Sequence, residues 1–254
     1  MSSALEVRLE AGDRLMRLHL ARPKANLIDA EMIAALEGAL AQPPPPALSA
    51  ILIDAEGPNF SFGASVGEHL PDQCRAMLTA LHRLIGRIVA SEVPVLVAVH
   101  GRCLGAGLEL ACGGHLLFVA PDAQLGQPEI KLGVFAPAAS CLLPELIGPS
   151  RALDLLLSGR SISGTEAVSI GLACQAHANP AEAARAYAVD HLLRNSASSL
   201  RYAMRAARLE FATRIKQRLA EVERLYLEEL MSSRDAVEGL HAFLAKRPPQ
   251  WEHR

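Results

Sequence analysis

Aromatic residues are scarce in this chain, and so is an excess of charge of either sign. Phe, Trp and Tyr make up 4% of the 254 residues while hydrophobic residues make up 50%, so the core has to be built from Ala, Leu, Val and Ile. Lys and Arg number 25 and Asp and Glu 27, a net charge of −2, and no long run carries one sign. Nucleic acid and anionic membranes both demand a concentrated basic face, so neither is expected as the main partner. The Arg-rich stretch from Arg201 to Arg224 is broken by Glu210, Glu221 and Glu223, which predicts a solvated helical face. Five cysteines (Cys74, Cys103, Cys112, Cys141, Cys174) are an odd number, widely spaced and without a C-x-x-C pair. That pattern fits neither a zinc site nor a disulfide scaffold, so reduced thiols, no metal and a cytoplasmic location are expected. Glu6, Arg8, Glu10 and Asp13 leave no apolar signal region, and no apolar run is long enough to span a bilayer.

What is present is an alternation of strand and helix patterns. Residues 5–10 and 15–20 alternate apolar with polar around Ala11-Gly12-Asp13, as in a β-hairpin. Asp29 can cap a helix through Met32, Ile33, Leu36 and Leu40, which Pro43 to Pro46 bring to an end. Residues 50–54 predict a short buried strand, and Met77, Leu78, Leu81, Leu84, Ile85 and Ile88 have the spacing of a helix over 72–90. Pro94 to Val99 is a continuous apolar run of the kind found in parallel sheets, and Leu116 to Ala120 is a second strand. This alternation lasts to about residue 175 and predicts a mostly parallel α/β arrangement. From Pro180 to Lys246 the pattern is helical, an appended region.

Three segments invite a chemical reading. Small residues at 105–107 follow the strand at 94–99 and open a helix, so backbone N–H groups there can approach an oxyanion; the alternative is a tight turn packed for its own sake. Read as a dinucleotide turn, Gly101-x-x-x-Gly105-x-Gly107 comes too late in the chain and lacks a Tyr followed by Lys at a spacing of four. Gly63-Ala64-Ser65-Val66-Gly67 matches G-x-S-x-G formally, but a loop of about eight residues separates it from the preceding strand, where a nucleophile elbow needs direct contact. The third feature is a pair of carboxylates, Glu109 and Glu129, each in an apolar run. Buried carboxylates raise each other's proton affinity, so one can be held protonated while the other acts as a base.

Four segments, Phe60 to Ser65, Val97 to Ala111, Ala123 to Gly133 and Asp235 to Arg247, resemble the enoyl-CoA hydratase (crotonase) family in order and spacing over nearly the whole chain. The resemblance implies an α/β fold, a crotonase-like spiral of ββα units at 1–195 with the acyl-CoA site. A C-terminal helical trimerisation region at 196–254 would complete a homotrimer or homohexamer. It assigns the oxyanion hole to the N–H groups of Ala64 and Ala106, and the handling of water to Glu109 and Glu129. Lys24, Ala25 and Leu27 fall in the CoA-binding stretch, and Ser65, Val66, Phe135 and Pro137 in the acyl pocket. Acyl-CoA and water are the implied substrates, with no cofactor because CoA belongs to the substrate.

Two departures bear on the acyl group. Ser65 stands where many simple hydratases have Asp, and Ala136-Pro137 replaces a usual Pro-Gly, which implies a stiffer pocket. The combination of Ser61 to Val66, Glu68-His-Leu-Pro71 and Gly133 to Ser140 is most similar to the branch that hydrates a cyclic conjugated dienoyl thioester in anaerobic aromatic degradation. An ordinary hydratase of linear enoyl-CoA is the nearest alternative. A CoA-thioester hydrolase and a non-catalytic scaffold are further ones, the last disfavoured by retention of both carboxylates.

Overall fold

The computed structural model describes residues 4–254. In chain order it has the hairpin β1 (Leu5–Glu10) and β2 (Leu15–Leu20), helix α1 (Ala30–Ala41), strand β3 (Ala50–Ala55), helix α2 (Cys74–Val89), strands β4 (Val95–Val99) and β5 (Arg102–Leu104), and helix α3 (Ala106–Gly113). Strands β6 (Leu116–Val119) and β7 (Gln124–Gly126) lead to helices α4 (Pro137–Ile147) and α5 (Pro149–Ser158). Strand β8 (Ser161–Ser163), helix α6 (Gly164–Ser169), strand β9 (Gln175–Ala176) and helices α7 (Pro180–Tyr187), α8 (Ala197–Arg224) and α9 (Arg234–Leu244) complete it.

The hairpin forms as its alternation predicts, and Asp29 caps α1 by accepting from the Met32 N–H at 3.0 Å. From β2 onward the main sheet is parallel, in the order β1-β2-β3-β4-β6-β9. Its central strands are covered on both sides, which is why they read as unbroken apolar runs. Ile51, Ile53, Val95, Val97 and Val99 join the core that also holds α1, α2 and α3; Leu52, Leu96, Ala98 and Phe118 meet Ala184 and Ala188 on the opposite face.

A second sheet, β5-β7-β8, is invisible in the apolar periodicity and is reached only through the ββα spiral that the resemblance implies. Strands of three residues are too short for periodicity to register. They show how the chain climbs. A strand of the large sheet is followed by a strand of the small one and then by a helix, as in β4-β5-α3, the spiral of ββα units that the resemblance implies. Strand β5 also divides Gly101 from Gly105, so these glycines turn two separate corners, with φ of +57° and +51°, and form no single dinucleotide turn.

The C-terminal helices lie against this core. Over its 28 residues α8 buries only Ile215 and Leu219, in keeping with a solvated face, and leaves Tyr202 and Leu209 exposed. Helix α9 packs so tightly on the end of the segment carrying Glu129 that a Cβ on Gly239 would stand 2.1 Å from the Leu132 carbonyl oxygen. Among the described residues no helix is long and apolar enough to cross a membrane.

Candidate active site

Two backbone turns meet beside the small sheet. The Gly63 carbonyl accepts from the Ile28 N–H at 3.0 Å. Because a trans peptide directs its C=O and N–H oppositely, the Ala64 N–H points away from Ile28. On the facing turn, the Gly105 carbonyl accepts from the Glu109 N–H at 2.9 Å within the first turn of α3. That leaves the Ala106 N–H among the free amides at the helix start. The turns nearly touch: a Cβ on Gly63 would lie 3.4 Å from the Ala106 nitrogen. Among the described residues no hydrogen bond occupies either N–H. Two converging free amides can hold a developing oxyanion.

Glu109 and Glu129 line the cavity next to these amides, which contains about 70 Å³, room for several water molecules. Glu109 is 2% exposed, in the first turn of α3, and its Oε1 accepts from the Ala139 N–H at 2.9 Å. Burial raises its proton affinity above the usual carboxylate range, and the amides of Ala139 and Ala138 and the nearby His82 only partly offset this. Glu129 stands in a 3₁₀ turn, Pro128–Leu132, over Gly105, where an added Cβ would sit 2.5 Å from its Oε1. Part of its surface remains accessible, and it is the cavity that this surface lines. Burial first, and then the charge of Glu109, push its carboxyl up to about 8. The Gln127 side-chain nitrogen, when turned toward this carboxylate, lies 3.1 and 3.2 Å from its two oxygens. One cavity therefore holds two carboxyls whose proton affinity burial raises, Glu109 with backbone N–H groups that favour its charged form and Glu129 with the charge of Glu109 against it.

The structure brings Ala64, Ala106, Glu109, Glu129, Val66, Phe135 and Pro137 to this cavity. Phe135 is backed by the buried Tyr226, ring to ring at 5.2 Å, edge-on. Ser65 is off the cavity wall; it precedes the 3₁₀ turn Val66–His69, and its carbonyl faces the His69 ring. Lys24, Ala25 and Leu27 are also outside the wall. Their strand of backbone runs along the oxyanion turn, with the Phe62 N–H donating to the Ala25 carbonyl at 2.9 Å.

His69, to which neither residue pattern nor resemblance assigns a role, also lines the cavity. Its Nδ1 is 3.0 Å from the Ser65 carbonyl oxygen, so this nitrogen carries the proton, and burial holds the ring below the usual histidine range. The Glu68-His-Leu-Pro71 string singled out the segment but could not say which way the ring faced. Larger grooves, of about 790 and 690 Å³, flank α2, but neither contains the amide pair.

The pattern of the enoyl-CoA hydratase/isomerase family matches residues 10–254, and the chain belongs to that family. Within it, the whole chain is 60% identical to the cyclohexa-1,5-dienecarbonyl-CoA hydratase of Thauera aromatica, covering 98% of that protein. A probable enoyl-CoA hydratase of Bacillus subtilis is 32% identical over 249 residues, 92% of this chain and 94% of that one. Among solved structures, an enoyl-CoA hydratase from Mycobacterium avium subsp. paratuberculosis K-10 has a TM-score of 0.84 at 25% identity, covering 98% of both chains. The enoyl-CoA hydratase of Bacillus halodurans also has a TM-score of 0.84, at 20% identity, over 94% of this chain and 100% of that one, a likeness of fold.

Proposed function

We propose that this chain is a hydro-lyase that adds water to cyclohexa-1,5-diene-1-carbonyl-CoA to give 6-hydroxycyclohex-1-ene-1-carbonyl-CoA, in anaerobic aromatic degradation. The observation that carries the proposal is the 60% identity over the full chain, which spans the whole cavity. The Ala64 and Ala106 amides receive the thioester oxygen as it gains charge. Glu109, whose ionised form the Ala139 N–H supports, takes a proton from water as the hydroxide bonds to the β-carbon. Electrons move through the diene to the thioester oxygen. Glu129, protonated at neutral pH, then gives its proton to the γ-carbon, which lies across the ring from the hydroxylated carbon. An acid and a base carried on separate segments suit that separation.

Val66, Phe135 and Pro137 form walls for the ring, and Lys24, Ala25 and Leu27, outside the cavity, lie on the path of the CoA portion. Ser65 lies off the wall, which weighs against a hydrolytic role for its hydroxyl. We further propose that no cofactor is needed, that the enzyme works in the cytoplasm, and that the exposed face of α8, with Tyr202 and Leu209, helps to pack a homotrimer or homohexamer. The division into a core at 1–195 and a packing region at 196–254 belongs to the same proposal.

The test offers crotonyl-CoA and the cyclic dienoyl-CoA to the same enzyme. Turnover far faster with the cyclic substrate is expected. Equal or faster turnover of crotonyl-CoA would make the chain an ordinary hydratase. Release of free CoA that stops in Ser65→Ala would make it a hydrolase.

A further inference from the structure

The wall of the catalytic cavity is mostly apolar side chain and backbone. Among the described residues, polar side chains belong to that wall at three positions only, Glu109, Glu129 and His69. The two-carboxylate mechanism uses the first two and leaves the third idle. A polar atom set among apolar groups costs stability unless it meets a hydrogen-bond partner.

The chain holds the His69 ring in a defined sense. His69 closes the 3₁₀ turn Val66–His69, which follows directly on Gly63 and Ala64 of the oxyanion turn. Its Nδ1 lies 3.0 Å from the Ser65 carbonyl oxygen, which can only accept, so Nδ1 carries the proton. Burial keeps the ring uncharged at neutral pH. Nε2 is therefore a lone-pair acceptor, on the edge of the ring turned away from Ser65. Because Ser65 is off the cavity wall and His69 is on it, that edge is the one on the cavity side. Unlike Nε2 of His82 and of His115, it is not sealed off by protein. The space is about 70 Å³, so a ring or a water that fills it lies against every wall, His69 included.

We propose that His69 Nε2 accepts a hydrogen bond from the attacking water, through the hydrogen which that water keeps, and goes on holding it in the hydroxyl of the product. The proposal rests on the cyclic-dienoyl, two-carboxylate reading. Water brings two O–H bonds to the cavity. One breaks toward Glu109 as the oxygen bonds to the β-carbon; the other stays intact and points to His69. Glu129 gives its proton to the γ-carbon, and His69 neither gains nor loses one. With one hydrogen directed to Glu109 and the other to Nε2, the oxygen lone pair is left to face the ring. One consequence separates this role from packing. The dienoyl ring has no hydroxyl and the product has one, so His69 tightens the hold on the product alone.

Two variants divide the two edges of the imidazole. An Asn amide can stand where Nδ1 stands and donate to Ser65, but it is too short to reach the place of Nε2; the longer Gln can bring its amide oxygen there. In His69→Asn, hydration kcat should fall about ten-fold while KM for the cyclic diene stays within about two-fold. Dehydration kcat/KM must fall by the same factor, because the equilibrium constant belongs to the reactants. That fall should lie mainly in KM for the hydroxy thioester, which should rise about 5- to 10-fold. His69→Gln should recover most of kcat. A ring that only pinned its own turn would give the reverse order, Asn near normal and Gln impaired; that order, or equal loss in both, would overturn the proposal. In the unaltered enzyme, which needs no variant to fold, the nitrogen NMR signal of Nε2 should move when the hydroxy thioester binds. It should stay in place with cyclohexanecarbonyl-CoA, which has no hydroxyl, and a signal that ignores the hydroxyl would also overturn the role. Loss of hydration in Glu109→Gln beside a normal His69→Asn would discard His69 and keep the two carboxylates. Faster turnover of crotonyl-CoA would discard the cyclic substrate, and the order of Asn and Gln, measured on crotonyl-CoA, would still decide for or against His69.

Discussion

Glu109 and Glu129 line the same cavity from two very different pieces of backbone. Glu109 belongs to a buried helix between core elements, and its side chain meets the Ala139 amide. Glu129 belongs to one 3₁₀ turn that ends at Gly133, with φ of +74°, and is pressed from outside by α9 and the Trp251 ring. A base works best where donors support its charge, and an acid where its charge is refused. The start of α4 supplies the donors. Apolar walls and a neighbouring carboxylate supply the refusal.

That contrast can be broken at either end. Glu109→Gln and Glu129→Gln should each cut hydration by at least ~100-fold, while equilibrium binding of the acyl-CoA persists. Near-normal turnover in either variant removes the paired-acid mechanism. A smaller loss is expected from Gly105→Ala. The new Cβ would have to share space with Glu129 Oε1 at 2.5 Å, from a backbone with φ of +51°. Displacing Glu129 should lower kcat about ten-fold or more and leave Glu109 in place, with a lower melting temperature as the sign of strain.

Titration sharpens the contrast further. If Glu129 is the acid, kcat should decline as pH rises through about 8, where its carboxyl loses the proton. Gln127→Leu removes an amide that faces this carboxylate and should move the decline to higher pH by a fraction of a unit. Unchanged pH profiles would detach Gln127 from the acid. The smallest effect is on stability. A carboxyl with a raised value binds more protons folded than unfolded, so it costs stability as pH climbs from the ordinary carboxylate range to about 8. Glu129→Gln should therefore raise the melting temperature at pH 9 by about 2 °C or more, and by less at pH 5.

The long elements were legible in the residues because their apolar patterns span several turns or a whole strand. Asp29 announced α1, and Val95 to Val99 announced a doubly covered strand. The small sheet was not legible, since β5, β7 and β8 have three residues each and alternate too briefly. In the site, Glu109 and Glu129 stood out as charges in apolar company. His69 did not, because a histidine in a single 3₁₀ turn has no periodic partners, and its ring meets the cavity only once that turn has packed.

By itself the sequence determined the class of fold, the two carboxylates and the family pattern, all of which depend on residue type and local spacing. Only the tertiary structure decided which groups share a cavity. It aimed the Ala64 and Ala106 amides through hydrogen bonds to Ile28 and Glu109, moved Ser65 off the wall, and placed His69 on it. It also gave the acids unlike surroundings. Proton affinity is set by burial and by neighbouring donors and charges, and those are settled only when distant segments pack.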